Sequence, residues 1–446
     1  MATTAAVMPK VKGGSFLIEA VSPEHVVTPE DFTEEQRQMA ATADQFLRNE
    51  VIPNIEGLEH QEPGLAVSLL RKAGELGLLG VIVPEQYGGL EMDKVTKLLV
   101  AEHMSGYASF SGTFGAHSGI GTLPILFFGN EQQKQKYLPG LVTGELMGAY
   151  CLSEAHAGSD ALAARTRADL DPGGTHYLLN GEKMWITNGG WADVFIVFAK
   201  IGGEKFTAFI VERAFPGVRS GAEERKMGIK GSSTCPLILE NARVPVENVL
   251  GEIGRGHIIA FNILNMGRLT LGASCVGGVK TVLGVSVKYA KQRKAFGKSI
   301  AEFGLIQHKL AEMGIRGYVS EAMVYRTGGL IDAHLADFSW SRPDAPKAVL
   351  KAVEEFAVEC SIVKVYCSEV LDYCVDEGVQ IHGGYGYHQD YPIERAYRDS
   401  RINRIFEGTN EINRLLTTGM LLKRAVKGQL ALIPAAQALL GEALAG

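Results

Sequence analysis

The stretch VFIVFAKIGGEKFTAFIVE, Val194 to Glu212, holds two apolar runs of strand length on either side of a glycine-containing turn. Valine, isoleucine and phenylalanine dominate both runs, and these residues favour strands. Similar runs, HYLLNG and PLILENARVP, lie on either side of it between about Tyr150 and Arg243. The spacing predicts a compact β domain of sandwich or barrel type in the middle of the chain.

Helical patterns flank this region. Thr33 and Gln36 form a capping box before an apolar helical face, and helical periodicity returns from about Ile258 onward. Within that later part, SWSRPDAP (Ser339 to Pro346) is the clear loop. The order helical, β, helical lacks the strand and helix alternation of a doubly wound sheet, so it predicts an α+β fold.

Composition limits the possible functions. The chain has 446 residues and is 46% apolar, enough for two or three domains with buried cores. Its 44 basic and 50 acidic residues give a formal net charge of −6, which argues against nucleic acid as a partner. No apolar run approaches the roughly 20 residues of a membrane span, and no secretory h-region is evident. We expect no transmembrane segment and a cytoplasmic location, or an organelle matrix if the source is eukaryotic.

Cysteine and histidine usage predicts no metal site. The six cysteines form no CxxC pair, and Cys360, Cys367 and Cys374 recur every seven residues on one helical face. A free cysteine on such a face behaves as a small apolar core residue. His382 has no partner at ligand spacing, so a hydrogen-bonded structural role is expected for it.

The common nucleotide-binding and hydrolase signatures are absent: GxGxxG after a strand, GxxxxGK[ST], HExxH and GxSxG. Four polar or glycine-rich clusters remain as candidate sites. Taken singly, each also fits a structural role, as a linker, a core tryptophan or a solvated helix end. The clusters are YCLSEAHAGSD (Tyr150 to Asp160), KMWITNGG (Lys183 to Gly190), KQRKAFGK (Lys291 to Lys298) and the segment Gln380 to Arg414.

In this order, and with VPEQYGG, GNEQQKQKYLP, KMGIKGSST and VPVENVLG, the clusters resemble the acyl-CoA dehydrogenase family over roughly residues 30 to 425. The resemblance implies FAD as cofactor, acyl-CoA as substrate, an electron-transfer flavoprotein as acceptor and a homo-oligomer, dimer or tetramer. It implies an N-terminal all-α domain (1–149), a middle β domain (150–257), a C-terminal four-helix bundle (258–425) and a short tail (426–446).

The resemblance also assigns roles to individual residues. Residues implied to bind the cofactor are Tyr150, Cys151, Leu152, Ser153, Ser159, Trp185, Ile186, Thr187, Arg293, Phe296, Gln380, Gly383, Gly384, Thr409 and Glu411. Among these, Arg293, Phe296, Gln380, Gly383 and Gly384 are implied to reach the adenosine diphosphate part of FAD across a dimer interface. Residues implied to contact substrate are Ser159, Asn265, Arg268 and Gly408.

Within RIFEGTNEIN (Arg404 to Asn413), Glu407 matches the catalytic base of the family. The base removes the α-proton, the β-hydrogen leaves as hydride, and the base's own N–H with a flavin ribityl hydroxyl stabilises the thioester oxygen. One branch of the family places its base on another helix, where this chain has Gly267. Burial beside Phe406 and an acyl chain should raise the pKa of Glu407.

Two features resemble the long- and very-long-chain branch. The segment NILNMGR resembles the corresponding segment of that branch. Gly304 stands at a position where shorter-chain members commonly carry glutamine. Small residues in GTFGAHSGIG (Gly112 to Gly121) predict a deep acyl tunnel, or alternatively close helix packing. The chain after Met420 predicts a packed terminal helix, in either a truncated or a short member of that branch.

The resulting functional hypothesis is FAD-dependent α,β-dehydrogenation of long-chain acyl-CoA to trans-2-enoyl-CoA. Two alternatives stay open: an acyl-CoA oxidase, with the same base and flavin but with oxygen admitted, and a non-catalytic flavoprotein of this family acting in complex assembly.

Overall fold

The computed structural model describes residues 10–22 and 26–445. The expectation that no secretory leader is present concerns mainly residues 1–9, which lie outside the described residues.

The region before the β strands is helical. The first long helix begins at the predicted capping box, where the Thr33 hydroxyl accepts from the Gln36 N–H at 3.2 Å and the Gln36 side chain accepts from the Thr33 N–H at 2.9 Å. After the fifth helix the chain widens into a π-helical turn, Ala116–Gly121. The helices are α1 (Glu34–Phe46), α2 (Ile55–Glu59), α3 (Leu65–Glu75), α4 (Lys94–His103), α5 (Ala108–Gly115), α6 (Leu123–Phe128) and α7 (Glu131–Thr143).

The middle of the chain forms one eight-stranded, mostly antiparallel sheet. Its strands are β1 (Gly148–Cys151), β2 (Arg167–Leu170), β3 (His176–Thr187), β4 (Val194–Ile201), β5 (Lys205–Glu212), β6 (Val218–Ser220), β7 (Thr234–Pro245) and β8 (Val249–Leu250). The two runs of the opening stretch are β4 and β5, paired antiparallel from Val194↔Glu212 to Ile201↔Lys205. The strand order is β6-β7-β3-β2-β4-β5-β8, with β1 and β2 both parallel to β4.

The last part of the chain is a helical bundle. Its elements are α8 (Gly256–Gln292), the short hairpin β9 (Lys294–Ala295) and β10 (Lys298–Ser299), α9 (Gly304–His334), α10 (Ala345–Glu355), α11 (Ala357–His382), α12 (Pro392–Ser400), α13 (Asn410–Val426) and α14 (Leu432–Ala445). Helix α11 packs against α8, α9 and α13, and α4 of the N-terminal region packs against α8 and α9. The helical pattern did not predict the hairpin.

Two observations qualify the sequence predictions. The terminal helix α14 forms and contacts α13, but it contributes no fully buried residue. Helix α8 is long and apolar enough, by length and composition, to cross a membrane. Much of α8 is buried between α4, α9 and α11, which explains its apolar character.

Candidate active site

A cavity of about 260 Å³ lies between the N-terminal helices and the bundle. At one end it is lined by Glu407 and Phe406, together with Thr187 of β3. It continues between α4, α5 and α8, where its walls are mainly apolar, and it is also lined by Lys94 and Lys97 of α4. The cavity therefore joins a carboxylate to an apolar passage that the helices of two regions enclose.

Glu407 stands in a tight turn between a 3₁₀ helix, Arg401–Arg404, and α13. Its backbone is left-handed, with φ 58°, and Gly408 follows with φ 78°. A non-glycine residue seldom adopts this conformation, and residues held in it cluster at functional sites. Thr409 then caps α13 by accepting from the Ile412 N–H at 3.3 Å.

Three buried side chains fix the backbone of this turn. Arg268 of α8 donates from Nε to the Glu407 carbonyl at 3.1 Å, and Lys364 of α11 donates to the Gly408 carbonyl at 2.8 Å. Asn413 of α13 donates to the Glu407 and Gly408 carbonyls at 3.3 and 2.8 Å. Each of these bonds is accepted by a main-chain oxygen, so none of them occupies the Glu407 carboxylate.

The Glu407 carboxylate has room because α8 carries Gly267 opposite it. A Cβ at position 267 would lie 2.6 Å from Oε2 of Glu407, closer than real Cβ contacts. The Oε2 atom is buried and has no hydrogen-bond partner among the described residues. The structure thus places the Glu407 carboxylate directly against Gly267 of α8.

Burial governs the electrostatics of this group. It raises the pKa of Glu407 to about 7, while the nearby cations Arg268 and Lys364 act to lower it. Burial also lowers the pKa of Lys364 to about 8. A carboxyl with a pKa near neutrality is suited to accept a proton from a weak carbon acid.

Asn265 and Arg268 are neighbours on one turn of α8, and both are buried. The Asn265 side-chain oxygen accepts from Arg268 at 3.0 Å. Asn265 therefore orients the guanidinium that holds Glu407; its contact with substrate stays a prediction.

The end of β1 approaches the same carboxylate. Tyr150 is close enough for Glu407 to raise its pKa further, although burial is the larger cause. The Tyr150 hydroxyl is buried without a partner, as is the Thr113 hydroxyl of α5. Cys151 and Leu152 are also buried, with Cys151 fully enclosed in the sheet. An orphaned hydroxyl near a free carboxylate indicates room for a polar ligand.

A buried ion pair organises the loop after β1. Lys183 of β3 lies 2.6 Å from Glu154, and both side chains are almost completely buried. The Ser153 carbonyl accepts from the Met184 N–H at 2.9 Å. These bonds fix Ser153 against β3, whereas Ser159 lies in the exposed part of the loop.

Trp185 occupies an irregularity in the sheet. The β3–β7 register shifts between Lys183 and Ile186, and Trp185 has φ 57° with 60% of its surface exposed. A bulky residue in the left-handed region is a strained outlier, and β-bulges of this kind often re-aim a side chain next to a site. Ile186 points into the core, and Thr187 lines the cavity.

A second group of predicted residues lies elsewhere on the surface. Arg293, Gly383 and Gly384 line a shallow hollow, with Arg293 5.4 Å from the centre of the Tyr385 ring. Gln380 and Glu411 are exposed, and Phe296 is 96% exposed. Within one chain, this hollow is not joined to the cavity at Glu407.

Sequence reasoning missed Lys364, Asn410 and Asn413, all of which are buried. A usable signal existed for Lys364, because it lies one helical turn after Cys360 on the face predicted to be core. A charged residue on such a face needs partners, and Lys364 finds the Gly408 carbonyl and, at 2.7 Å, the Asn410 side chain.

His382 and the three cysteines that recur every seven residues lie in helix α11. His382 stacks on Tyr289 with ring centres 4.1 Å apart and contacts the Gly378 carbonyl at 2.7 Å, the structural role expected for it. Cys360, Cys367 and Cys374 are fully buried in α11.

Three domains of one known family match the chain, one for each of its regions and in the same order. The N-terminal domain of acyl-CoA dehydrogenases matches residues 33–145, the middle domain 149–242 and the C-terminal domain 254–421. The order of helical region, β sheet and bundle is thus that of a family of oxidoreductases. The chain belongs to the acyl-CoA dehydrogenase family, which confirms the predicted family and α+β fold class.

Individual relatives are similar over most of the chain. A probable acyl-CoA dehydrogenase of Bacillus subtilis is 55% identical over 96% of this chain and 72% of its own length. The very long-chain specific mitochondrial enzyme of Bos taurus is 39% identical over 90% of this chain, which spans only 60% of that relative. A crystal structure of an acyl-CoA dehydrogenase complexed with FAD from Bacillus anthracis has a TM-score of 0.96 at 57% identity, covering 97% of this chain and 74% of that chain.

Proposed function

We propose that the protein is an FAD-dependent dehydrogenase that converts long-chain acyl-CoA to trans-2-enoyl-CoA and passes the electrons to an electron-transfer flavoprotein. The observation that supports this most directly is the unpartnered Oε2 of Glu407 at the end of a deep, mainly apolar cavity. A thioester placed there would present its α-carbon to the carboxylate and its chain to the apolar walls.

Glu407 acts as the base. Its carboxylate takes the α-proton, the Cα–H electron pair becomes the new double bond, and the β-hydrogen leaves with its electron pair. The Glu407 N–H has no acceptor among the described residues, so it is available to stabilise the thioester oxygen as negative charge grows there. When bound, FAD supplies the acceptor for the hydride.

The residues present fit a bound flavin. The orphaned Tyr150 hydroxyl is enclosed near the base, and Thr187 lines the cavity. The strained, exposed Trp185 stands two residues before Thr187 on β3 and offers an aromatic face. We assign the flavin end of FAD to this place, with Ser153 on the adjoining loop.

The adenosine diphosphate end is assigned to the surface hollow of a second subunit. Arg293 supplies a cation there, and added Cβ atoms at Gly383 and Gly384 would meet no protein atom within 4 Å. Such open glycines allow close approach of a ligand to the backbone. This assignment requires a homo-oligomer. The similarity to Bacillus proteins supports a cytoplasmic location.

Long chains are favoured by the shape of the cavity. Gly112, Gly115 and Gly119 line it, and a Cβ at any of them would meet open space. The alternative explanation, close helix packing, predicts crowded positions, and in this stretch it holds for Gly121, where a Cβ would lie 2.8 Å from the Gly148 carbonyl carbon. The cavity extends to Leu123 and to Ile331 of α9, well inside the helical regions.

Anaerobic titration of the holoenzyme with saturated acyl-CoAs of increasing length tests this proposal. We expect loss of flavin absorbance with long chains, and with oxygen admitted little hydrogen peroxide. A preference for chains shorter than about eight carbons would contradict the deep cavity. High peroxide yield would indicate an oxidase, and no bleaching with any straight chain would indicate a non-catalytic flavoprotein.

A further inference from the structure

The cavity that leads away from Glu407 is lined by two lysines. Lys94 and Lys97 both belong to α4 and line this cavity together with apolar residues such as Leu98 and Leu123. A passage built for a hydrocarbon alone has no use for ammonium groups, because an alkyl end cannot compensate their charge.

Lys97 is buried, with only 6% of its surface exposed. It donates to the Ser118 hydroxyl at 2.9 Å and lies 5.5 Å from the centre of the Phe114 ring. Among the described residues no carboxylate lies within 4 Å of it. Its other ionisable neighbours are Lys94 and the buried His117, whose pKa burial lowers to about 4. Lys97 therefore has no counterion.

Lys94 has acidic residues nearby but no ion pair. Asp332 and Asp93 favour its charge, yet burial lowers its pKa to about 8. Both oxygens of Asp332 instead accept backbone N–H groups of Lys94 and Val95 at 3.0 Å. The Lys94 ammonium lies 5.6 Å from the centre of the Phe127 ring, and Lys94 is one of the residues that line the cavity.

The charged form of Lys97 is energetically unfavourable without a ligand in the cavity. Burial and the like charge of Lys94 lower the pKa of Lys97 to about 7. A buried cation without a counterion is unfavourable, whereas a carboxylate beside Lys97 and Lys94 gains charge-assisted hydrogen bonds in a water-poor setting. A methyl group in the same place would leave Lys97 without a counterion.

We propose that the acyl cavity accepts α,ω-dicarboxylic acyl-CoA thioesters, with the free ω-carboxylate bound by Lys97 and Lys94. This inference rests on the proposed function, because it assumes that the acyl chain occupies the cavity. It concerns the far end of the chain and leaves the chemistry at Glu407 unchanged.

The test compares pairs of substrates of matched chain length, one ending in methyl and one in carboxylate, for the holoenzyme and for Lys97→Met. Methionine keeps the length of the side chain and removes the charge. The quantity measured is kcat/KM for the dicarboxylic thioester divided by kcat/KM for its methyl-ended partner. We expect this ratio to fall by about tenfold or more in Lys97→Met, at the chain length where the wild-type ratio is highest.

Two further variants keep the result interpretable. Lys97→Arg retains a cation and should keep most of the ratio, while Lys351→Met, on the exposed surface of α10, should leave it unchanged. If Lys97→Met does not fold, Lys94→Met provides the same comparison, with a smaller expected fall because Asp332 and Asp93 already attract that group.

The outcomes separate the two proposals. Rapid oxidation of methyl-ended chains, without oxidation of dicarboxylic thioesters at any length, would overturn this inference and leave the proposed function standing. An equal ratio in wild type and Lys97→Met would also overturn it. Failure of the wild type to oxidise any acyl-CoA would overturn the proposed function itself.

Discussion

The absence of a side chain at Gly267 determines where the Glu407 carboxylate can lie. Gly267 leaves the space that the Glu407 carboxylate fills, and an added methyl group would approach Oε2 to 2.6 Å. Since the backbone of this turn is fixed through its carbonyls, only a rotation of the Glu407 side chain can relieve that contact.

Replacing Gly267 with alanine should therefore displace the carboxylate. We expect kcat for acyl-CoA dehydrogenation to fall by about tenfold to a hundredfold, since small misplacements of a reacting group carry penalties of this size. Steady-state kinetics and flavin content measure the effect. Gly284→Ala on the same helix is the matched control, because its Cβ would meet nothing within 4 Å. Equal activity of the two variants would contradict the steric argument.

The raised pKa of Glu407 predicts a pH profile. The base works only when deprotonated, so log kcat/KM should increase with pH up to about 7 and level off above it, instead of levelling off above the ordinary value of 4.5. The Gln variant at this position should lose that ascending limb from whatever activity remains. A limb centred near 4.5 would show that burial does not control this group.

At the scale of elements, one turn is held by three helices of the bundle. Arg268 of α8, Lys364 of α11 and Asn413 of α13 all donate to carbonyls of the Glu407–Gly408 turn. The left-handed backbone of this turn is strained, and these bonds compensate for the strain.

Lys364→Met removes one of these donors, so the Gly408 carbonyl keeps only its bond from Asn413 and the Asn410 side chain loses its lysine donor. We expect a loss of about 1–3 kcal/mol in the free energy of unfolding and a lower rate of substrate oxidation. Denaturant unfolding of the holoenzyme, read by flavin fluorescence and circular dichroism, measures the first effect. Lys351→Met, an exposed change on α10, serves as the control. Stability equal to that control would mean that Lys364 does not support the turn.

The sequence predicted the helices and strands better than the contacts between residues that lie far apart in the chain. The two apolar runs in Val194 to Glu212 became β4 and β5, and the Thr33 capping box begins α1, because both signals depend on neighbouring residues. The lysine bond to the Gly408 carbonyl joins positions 44 residues apart, and no local pattern contains it. The hairpin Lys294–Ser299 was missed because it is too short to show alternation.

At the scale of the whole molecule, the cavity depends on the contact between the N-terminal helices and the bundle. Helix α4 packs on α8 and α9, α5 supplies the small residues, and β3 closes the reactive end through Thr187. The depth available to a chain is thus set by side chains that lie far from Glu407 in the sequence.

Gly115→Leu should place a bulky side chain in this open space and shorten the passage. We expect the chain length of highest kcat/KM to shift downward, with long-chain substrates losing about tenfold or more while shorter ones lose less. A series of acyl-CoAs measures the shift, and Gly284→Leu, which lies outside the cavity lining, is the control. An unchanged length profile would show that the chain does not pass α5.

The most direct test of the central claim, that Glu407 removes the α-proton, is single-turnover flavin reduction by a long-chain acyl-CoA in Glu407→Gln. We predict a rate lower by about a hundredfold to ten-thousandfold with normal flavin content, because the amide keeps the size of the side chain but cannot act as a base. Flavin reduction at a rate close to that of the wild type would contradict the assignment.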